Sequence, residues 1–155
     1  MGRWIGLAAW LAVTFLAAAI GGTSGPGPWY AELEKPAWTP PSWVFGPVWT
    51  TLYILMAVAA WMVWERRAER PAPVRRALTV YVVQLALNAL WSLLFFRWQL
   101  FGLAALEILV LLAAIVLTMR LFAPIRRPAA WLLAPYLVWV SYATTLSVGI
   151  WWMNR

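Results

Sequence analysis

Charge is distributed so unevenly along this chain that five long stretches carry almost none. Uncharged segments run over 4–31, 36–64, 77–96 and 128–154, and a fifth, 98–119, is interrupted only by Glu107. Each can hold about 20 apolar residues, the length at which a helix crosses a bilayer core with its backbone groups bonded internally. Of the 155 residues, 65% are apolar and 11% charged, against roughly a quarter charged in soluble domains. The mean hydropathy is +0.76. These values exclude an ordinary soluble domain. The expectation is an all-α integral membrane protein, a single domain over 1–155 built as a five-transmembrane-helix bundle.

The spans are expected at about 4–21, 43–64, 77–97, 100–122 and 129–152. Between the first two lies a long loop, 22–42, whose five prolines and three glycines forbid a continuous helix, although a turn of helix around Ala31 to Lys35 is compatible with it. The first segment lacks a small-residue cleavage site followed by a polar mature region, so it reads as a retained helix and not a signal peptide. It carries Gly6, Ala8, Ala9, Ala12, Ala17, Ala18, Ala19 and Gly22, small residues suited to close packing within the bundle or to a dimer seam. No internal repeat is visible, and an odd number of spans argues against the inverted-repeat plan of many carriers.

The net charge of +7 resides mainly in clusters between spans. Five arginines lie between Glu65 and Arg76, and Arg120, Arg126 and Arg127 lie together further on. By the positive-inside rule both connections face the cytoplasm with Arg3, while Lys35, Arg97 and Arg155 face out. The expected topology is therefore N-terminus in, long loop out and C-terminus out, in a bacterial cell membrane. Arginines placed this way orient the chain and meet the lipid bilayer, and nucleic acid is not expected as a partner. The chain has no cysteine and no histidine. Disulfides and soft metal sites are thereby excluded, and the commonest general base is missing; no metal site is expected.

The third segment is the most informative. Tyr81, Gln84, Asn88, Trp91 and Phe95 recur at spacings of three and four and share one face. Amides are costly in lipid, so this face points inward, where Gln84 and Asn88 bond either other helices or a ligand. The second segment aligns Phe45, Trp49, Tyr53, Met56 and Ala60, and the fifth aligns Pro135, Trp139, Tyr142, Ala143 and Leu146. Three such faces can enclose a flat apolar cavity with a few polar anchors. In the loop, Trp29, Tyr30, Trp38 and Trp43 between prolines read as a rigid lid or as interfacial anchors. Trp4, Trp61, Trp64, Trp98, Trp131, Trp151 and Trp152 lie nearer span ends, where anchoring explains them better. Glu107, within the fourth span, is either protonated and bonded to a neighbouring helix or part of a proton path; without a second buried acid or a histidine to relay, the first reading is favoured. Pro135 frees a backbone carbonyl and is expected to kink the fifth span beside Trp139.

Four segments, WYAELEKPAWTPP at 29–41, VWTTLY at 48–53, QLALNALWSLLFF at 84–96 and PYLVWVSYATTL at 135–146, occur in one order across the five spans. Together they resemble the tryptophan-rich sensory protein and translocator protein family, the peripheral-type benzodiazepine receptors, over nearly the whole chain. The resemblance implies a five-helix fold, often a homodimer, that binds tetrapyrroles such as protoporphyrin IX and haem as ligands with no obligatory cofactor. It also implies isoquinoline- and benzodiazepine-type drugs as ligands, and an outer membrane as an alternative location. Carried over residue by residue, it makes Trp49, Asn88 and Trp139 pocket contacts, with Tyr30, Trp38 and Pro41 from a covering loop and Ala143 as the small residue that leaves room. Two positions depart from animal members. Val148 and Trp152 stand where a cholesterol motif needs a tyrosine and a basic residue, which argues against cholesterol. Leu103 replaces a tryptophan, which alters the shape expected of the drug pocket.

Three functions compete. The first is a membrane receptor, sensor or transporter that holds a porphyrin between indole faces, with Phe45, Trp49, Tyr53, Gln84, Asn88, Trp91, Trp139, Ala143 and Leu146 around it. The second is an enzyme that degrades protoporphyrin IX with light and oxygen, in which Trp49 and Trp139 are the reactive groups; the chain offers no conventional catalytic constellation, so the chemistry would come from pigment and oxygen. The third is a structural membrane protein without a ligand.

Overall fold

The computed structural model describes residues 2–155 and places five helical spans in one bundle. In chain order the helices are α1 (Arg3–Gly22), α2 (Pro28–Glu32), α3 (Phe45–Trp64), α4 (Pro71–Ser92), α5 (Phe101–Phe122), α6 (Arg127–Leu132) and α7 (Ala134–Met153). A single 3-10 turn, Ser42–Val44, leads into α3, and a π-helical turn, Leu93–Arg97, extends α4. The spans are α1, α3 with its leading turn, α4 with its π turn, α5, and α6 continued by α7.

Proline explains most of the boundaries. Pro28, Pro71, Pro128 and Pro135 all occupy first turns, where the missing N–H costs nothing and the fixed φ favours the helix. The third span therefore starts at Pro71, six residues ahead of 77, because Arg75 and Arg76 mark where the membrane begins and not where the helix begins. The fifth span is two helices and not one. Pro135 has no N–H to offer the Trp131 carbonyl; Leu133 N–H instead bonds Ala130 O at 3.1 Å, and the chain resumes as α7. In the loop the short helix is Pro28–Glu32, earlier than the turn expected around Ala31 to Lys35, since Pro28 can start a turn and Pro36 disfavours the helical conformation at Lys35. The Lys35 ammonium closes its end, donating to Tyr30 O at 2.7 Å and lying 4.8 Å from the Tyr30 ring centroid.

Around the bundle, α1 packs on α3 and α4, α5 packs on α4 and α7, and α6 with α7 completes the circle against α3. One face of α1, carrying Gly6, Thr14, Ala17 and Gly21, is buried in that packing. Gly21 lies so close to α4 that a Cβ there would meet Ser92 Oγ at 3.2 Å. Ala8, Ala9, Ala12 and Ala19 are exposed. At one end of the bundle Glu65 binds Arg3 at 2.9 Å and Arg126 at 3.5 Å, and Arg70 donates to Pro124 O at 2.6 Å, so the arginine-bearing segments are gathered there. At the other end Asn154 exchanges hydrogen bonds with the backbone of Glu34, at 3.1 and 2.8 Å, and the loop is clasped to the C-terminus.

Glu107 is buried on α5, but the expected bond to a neighbouring helix is not made: neither carboxyl oxygen has a partner among the described residues. α5 packs between α4 and α7, and its buried residues on either side of Glu107, Ala104, Ala105, Ile108 and Leu111, are apolar. Glu107→Leu removes two unsatisfied oxygens while keeping the packing. It is expected to stabilise the detergent-solubilised protein by about 1–3 kcal/mol, seen as a raised midpoint in thermal unfolding; a lowered midpoint would assign the carboxyl a partner.

Candidate functional site

The largest polar feature of the interior is a hydrogen-bonded chain across three helices. Tyr53 hydroxyl on α3 donates to Asn88 Oδ1 on α4 at 2.8 Å, Asn88 Nδ2 donates to Tyr136 hydroxyl on α7 at 2.9 Å, and Tyr136 hydroxyl donates to Gln84 Oε1 at 2.7 Å. All four residues are buried. Without water in the membrane interior, such groups must find each other or stay unsatisfied. Gln84 Nε2 is left without a partner among the described residues.

Beside this chain, toward the loop end, lies a cavity of about 260 Å³. Its first wall comes from α3 and α7. Trp49 stacks on Tyr53 with ring centroids 5.5 Å apart and 29° between planes, and meets Trp139 edge to face at 6.4 Å. Phe45 closes on Trp139 at 6.0 Å, and Ala143, Leu146, Ser147 and Ile150 carry the α7 face onward. The second wall is the end of α4. Trp91 stacks on Phe95 at 5.0 Å and meets Phe96 in a T-shaped contact at 5.8 Å. The π turn widens the helix, with Trp98 N–H bonding Leu93 O at 2.9 Å, and it helps bring Phe95 and Phe96 together at the cavity. The third wall, Ala18, Gly21 and Gly22 of α1, offers almost no side chain and leaves the space open.

The loop supplies Ser24, Gly25, Pro26 and Tyr30 to the cavity. It is seated on α7 where Gly149 has no side chain; a Cβ there would lie 2.6 Å from Pro36. Burial, and after it the nearby Tyr142 hydroxyl, push the Tyr30 phenol above its ordinary range, so it remains a neutral hydroxyl. Polar groups on the walls are few. Trp91 Nε1 reaches Ser147 Oγ at 3.4 Å, and the Trp139 indole N–H is buried with no acceptor among the described residues. Residues 6–153 match the TspO/MBR family.

The chain belongs to the TspO/MBR family. It is 39% identical over 127 residues to the human translocator protein, covering 82% of this chain and 75% of that one. It is 40% identical over 149 residues to the tryptophan-rich protein TspO of Chlorobaculum tepidum, covering 93% and 90%. It is 35% identical over 147 residues to protein CrtK of Rhodobacter capsulatus, covering 92% and 91%. A member of this family with five helices long and apolar enough to cross a bilayer is an integral, multi-pass membrane protein.

In this TspO/MBR chain, Tyr30, Phe45, Trp49, Tyr53, Trp91, Trp139, Ala143 and Leu146, each expected at the site from the sequence, do meet around the cavity. Four expected residues do not. Asn88 and Gln84 lie off its walls, the Asn88 amide bonded to Tyr53 and Tyr136 and the Gln84 carbonyl oxygen to Tyr136. Trp38 is exposed on the outer side of α7, its indole donating to Thr145 Oγ1 at 3.1 Å and its carbonyl accepting from the Tyr142 hydroxyl. Pro41 lines an adjoining surface groove with Lys35 and Pro36, which meets the cavity only at Pro26 and Tyr30. The loop thus reaches the cavity through Ser24 to Tyr30 and not through Trp38 and Pro41. Sequence reasoning missed the α1 wall, whose small residues were visible but read as packing, and Ser147 and Ile150, which prolong the Ala143 face by one and two helical turns.

The hydrogen-bonded chain makes a measurable distinction. Asn88→Ala leaves the buried Tyr53 hydroxyl without its acceptor, while the Tyr136 hydroxyl keeps its bond to Gln84; it is expected to destabilise the protein by about 1–3 kcal/mol in thermal or denaturant unfolding, with Tyr53→Phe costing less. A variant with unchanged stability but altered ligand affinity would instead make Asn88 a ligand contact.

Proposed function

We propose that this protein is a membrane receptor or sensor that takes a flat, largely apolar aromatic ligand into the cavity between α1, α3, α4 and α7, with tetrapyrroles such as protoporphyrin IX and haem as the ligand class. The observation that carries the reading is the pair of aromatic walls, Trp49 with Trp139 and Trp91 with Phe95, flanking one cavity into which few polar atoms project. Indole faces stack on planar π systems, so aromatic contact with Trp49, Trp91 and Trp139 is what holds the ligand. Relatives named translocator protein and tryptophan-rich sensory protein agree with a translocating or sensing role. The volume of about 260 Å³ is just under the roughly 300 Å³ at which small-molecule sites begin. A compact drug-like aromatic needs little rearrangement, whereas a macrocycle needs the Ser24 to Tyr30 stretch to move outward.

Titrating protoporphyrin IX into purified protein in detergent tests this reading. Wild type is expected to show saturable quenching of tryptophan fluorescence. Ala143→Phe, which fills the cavity from α7, is expected to weaken binding at least tenfold, or about 1.4 kcal/mol. Quenching that never saturates, or that Ala143→Phe leaves unchanged, removes the pocket from the account and returns the chain to a structural role.

One observation favours a second reading. Trp49 and Trp139 are both oxidisable and stand edge to face at 6.4 Å on the cavity wall, where a light- and oxygen-dependent degradation of bound protoporphyrin IX would find them in reach. Illumination of the complex in air is then expected to bleach the pigment in wild type and not in a Trp49→Phe, Trp139→Phe double variant that still binds it.

A further inference from the structure

The arginine-bearing end of the bundle carries a second concavity, unconnected with the aromatic cavity. It opens outward between the end of α5, α6 and the start of α7. Arg120 and Arg127 stand on its rim, while Val116, Met119, Trp131 and Leu137 make an apolar bed. Trp131 is 69% exposed and projects beside it.

The charge in this cleft is uncompensated. Of the chain's five acidic residues, two lie at this end, Glu65 and Glu69. Glu65 is engaged by Arg3 and Arg126, and Glu69 by Arg66 at 2.9 Å. Arg126, between the two rim arginines in sequence, is therefore already paired, and Arg70 is bound to the Pro124 carbonyl. Arg120 and Arg127 join no ion pair among the described residues, and no acidic side chain lines the cleft. Two guanidinium groups over an apolar trough at a bilayer boundary require an amphiphile with an anionic head and a hydrocarbon tail.

We infer that this cleft is a binding site for an anionic glycerophospholipid, whose phosphate is held between Arg120 and Arg127 and whose acyl chain lies along Val116, Met119 and Leu137. Guanidinium forks match phosphate oxygens in pairs, which a lone lysine cannot do. Trp131 then lies level with the glycerol region, where an indole is at home.

Native mass spectrometry of the protein released from detergent tests the site with palmitoyl-oleoyl phosphatidylglycerol and palmitoyl-oleoyl phosphatidylcholine as probes. Wild type is expected to retain one phosphatidylglycerol at least about tenfold more tightly than phosphatidylcholine. R120Q/R127Q is expected to lose that preference. R75Q/R76Q, which removes the same charge from the same end of the molecule but outside the cleft, is expected to keep it. Ala123→Trp, which blocks the trough with both arginines in place, is expected to weaken phosphatidylglycerol retention about tenfold and serves as the deciding variant if R120Q/R127Q is not helical and monodisperse. Equal loss in R75Q/R76Q would reduce the effect to general surface charge. Full retention in R120Q/R127Q or Ala123→Trp, or displacement of the lipid by millimolar inorganic phosphate, would also overturn the site.

Discussion

The arrangement of this bundle depends on a shortage of water. Tyr53, Gln84, Asn88 and Tyr136 come from three helices, and in a membrane interior none can leave its polar atoms to solvent. They therefore bond one another, and the resulting chain fixes how α3, α4 and α7 are rotated about their axes. A second bond, Thr14 to Tyr81 at 2.7 Å, sets α1 against α4 in the same way. Apolar packing brings the helices together without choosing a rotation; these bonds choose it.

That rotation in turn makes the cavity. With the Tyr53 hydroxyl tied to Asn88, its ring becomes a platform for Trp49, and Trp49 directs its edge at Trp139. Tyr136 is drawn inward, so Ala143 and Ser147, two and three turns further along α7, face the space left by the α1 glycines. The cavity is apolar because the strongest polar groups near it are occupied elsewhere. A ligand there is held by shape and aromatic contact more than by hydrogen bonds.

The two ends of the bundle are built on different chemistry. One is stitched by ion pairs on Glu65, which gathers Arg3 and Arg126 from distant parts of the chain and leaves Arg120 and Arg127 without a counter-ion among the described residues. The other is stitched by the neutral hydrogen bonds between Asn154 and the Glu34 backbone, by the Lys35 ammonium on the Tyr30 carbonyl, and by Pro36 seated on Gly149. The loop is consequently held from both sides of the stretch that reaches the cavity, by α7 at one side and by the first span at the other.

The number of spans, their approximate limits and the aromatic faces of the second, third and fifth segments were legible in the sequence, because hydropathy, charge and a period of three to four residues are properties of single helices. So was the set Phe45, Trp49, Tyr53, Trp91, Trp139, Ala143 and Leu146, which follows from those faces. Tyr30 and Trp38 were visible in the aromatic loop and Asn88 on the third-segment face, and family resemblance added Pro41; of these the fold places Trp38, Pro41 and Asn88 off the cavity walls. Whether an inward amide meets a ligand or another helix is a property of pairs of helices, and only the tertiary structure decided it, by bringing two tyrosine hydroxyls to Asn88 before any ligand could. It likewise decided that blank α1 glycines form a wall, since a residue without a side chain gives no signal until something is found opposite it.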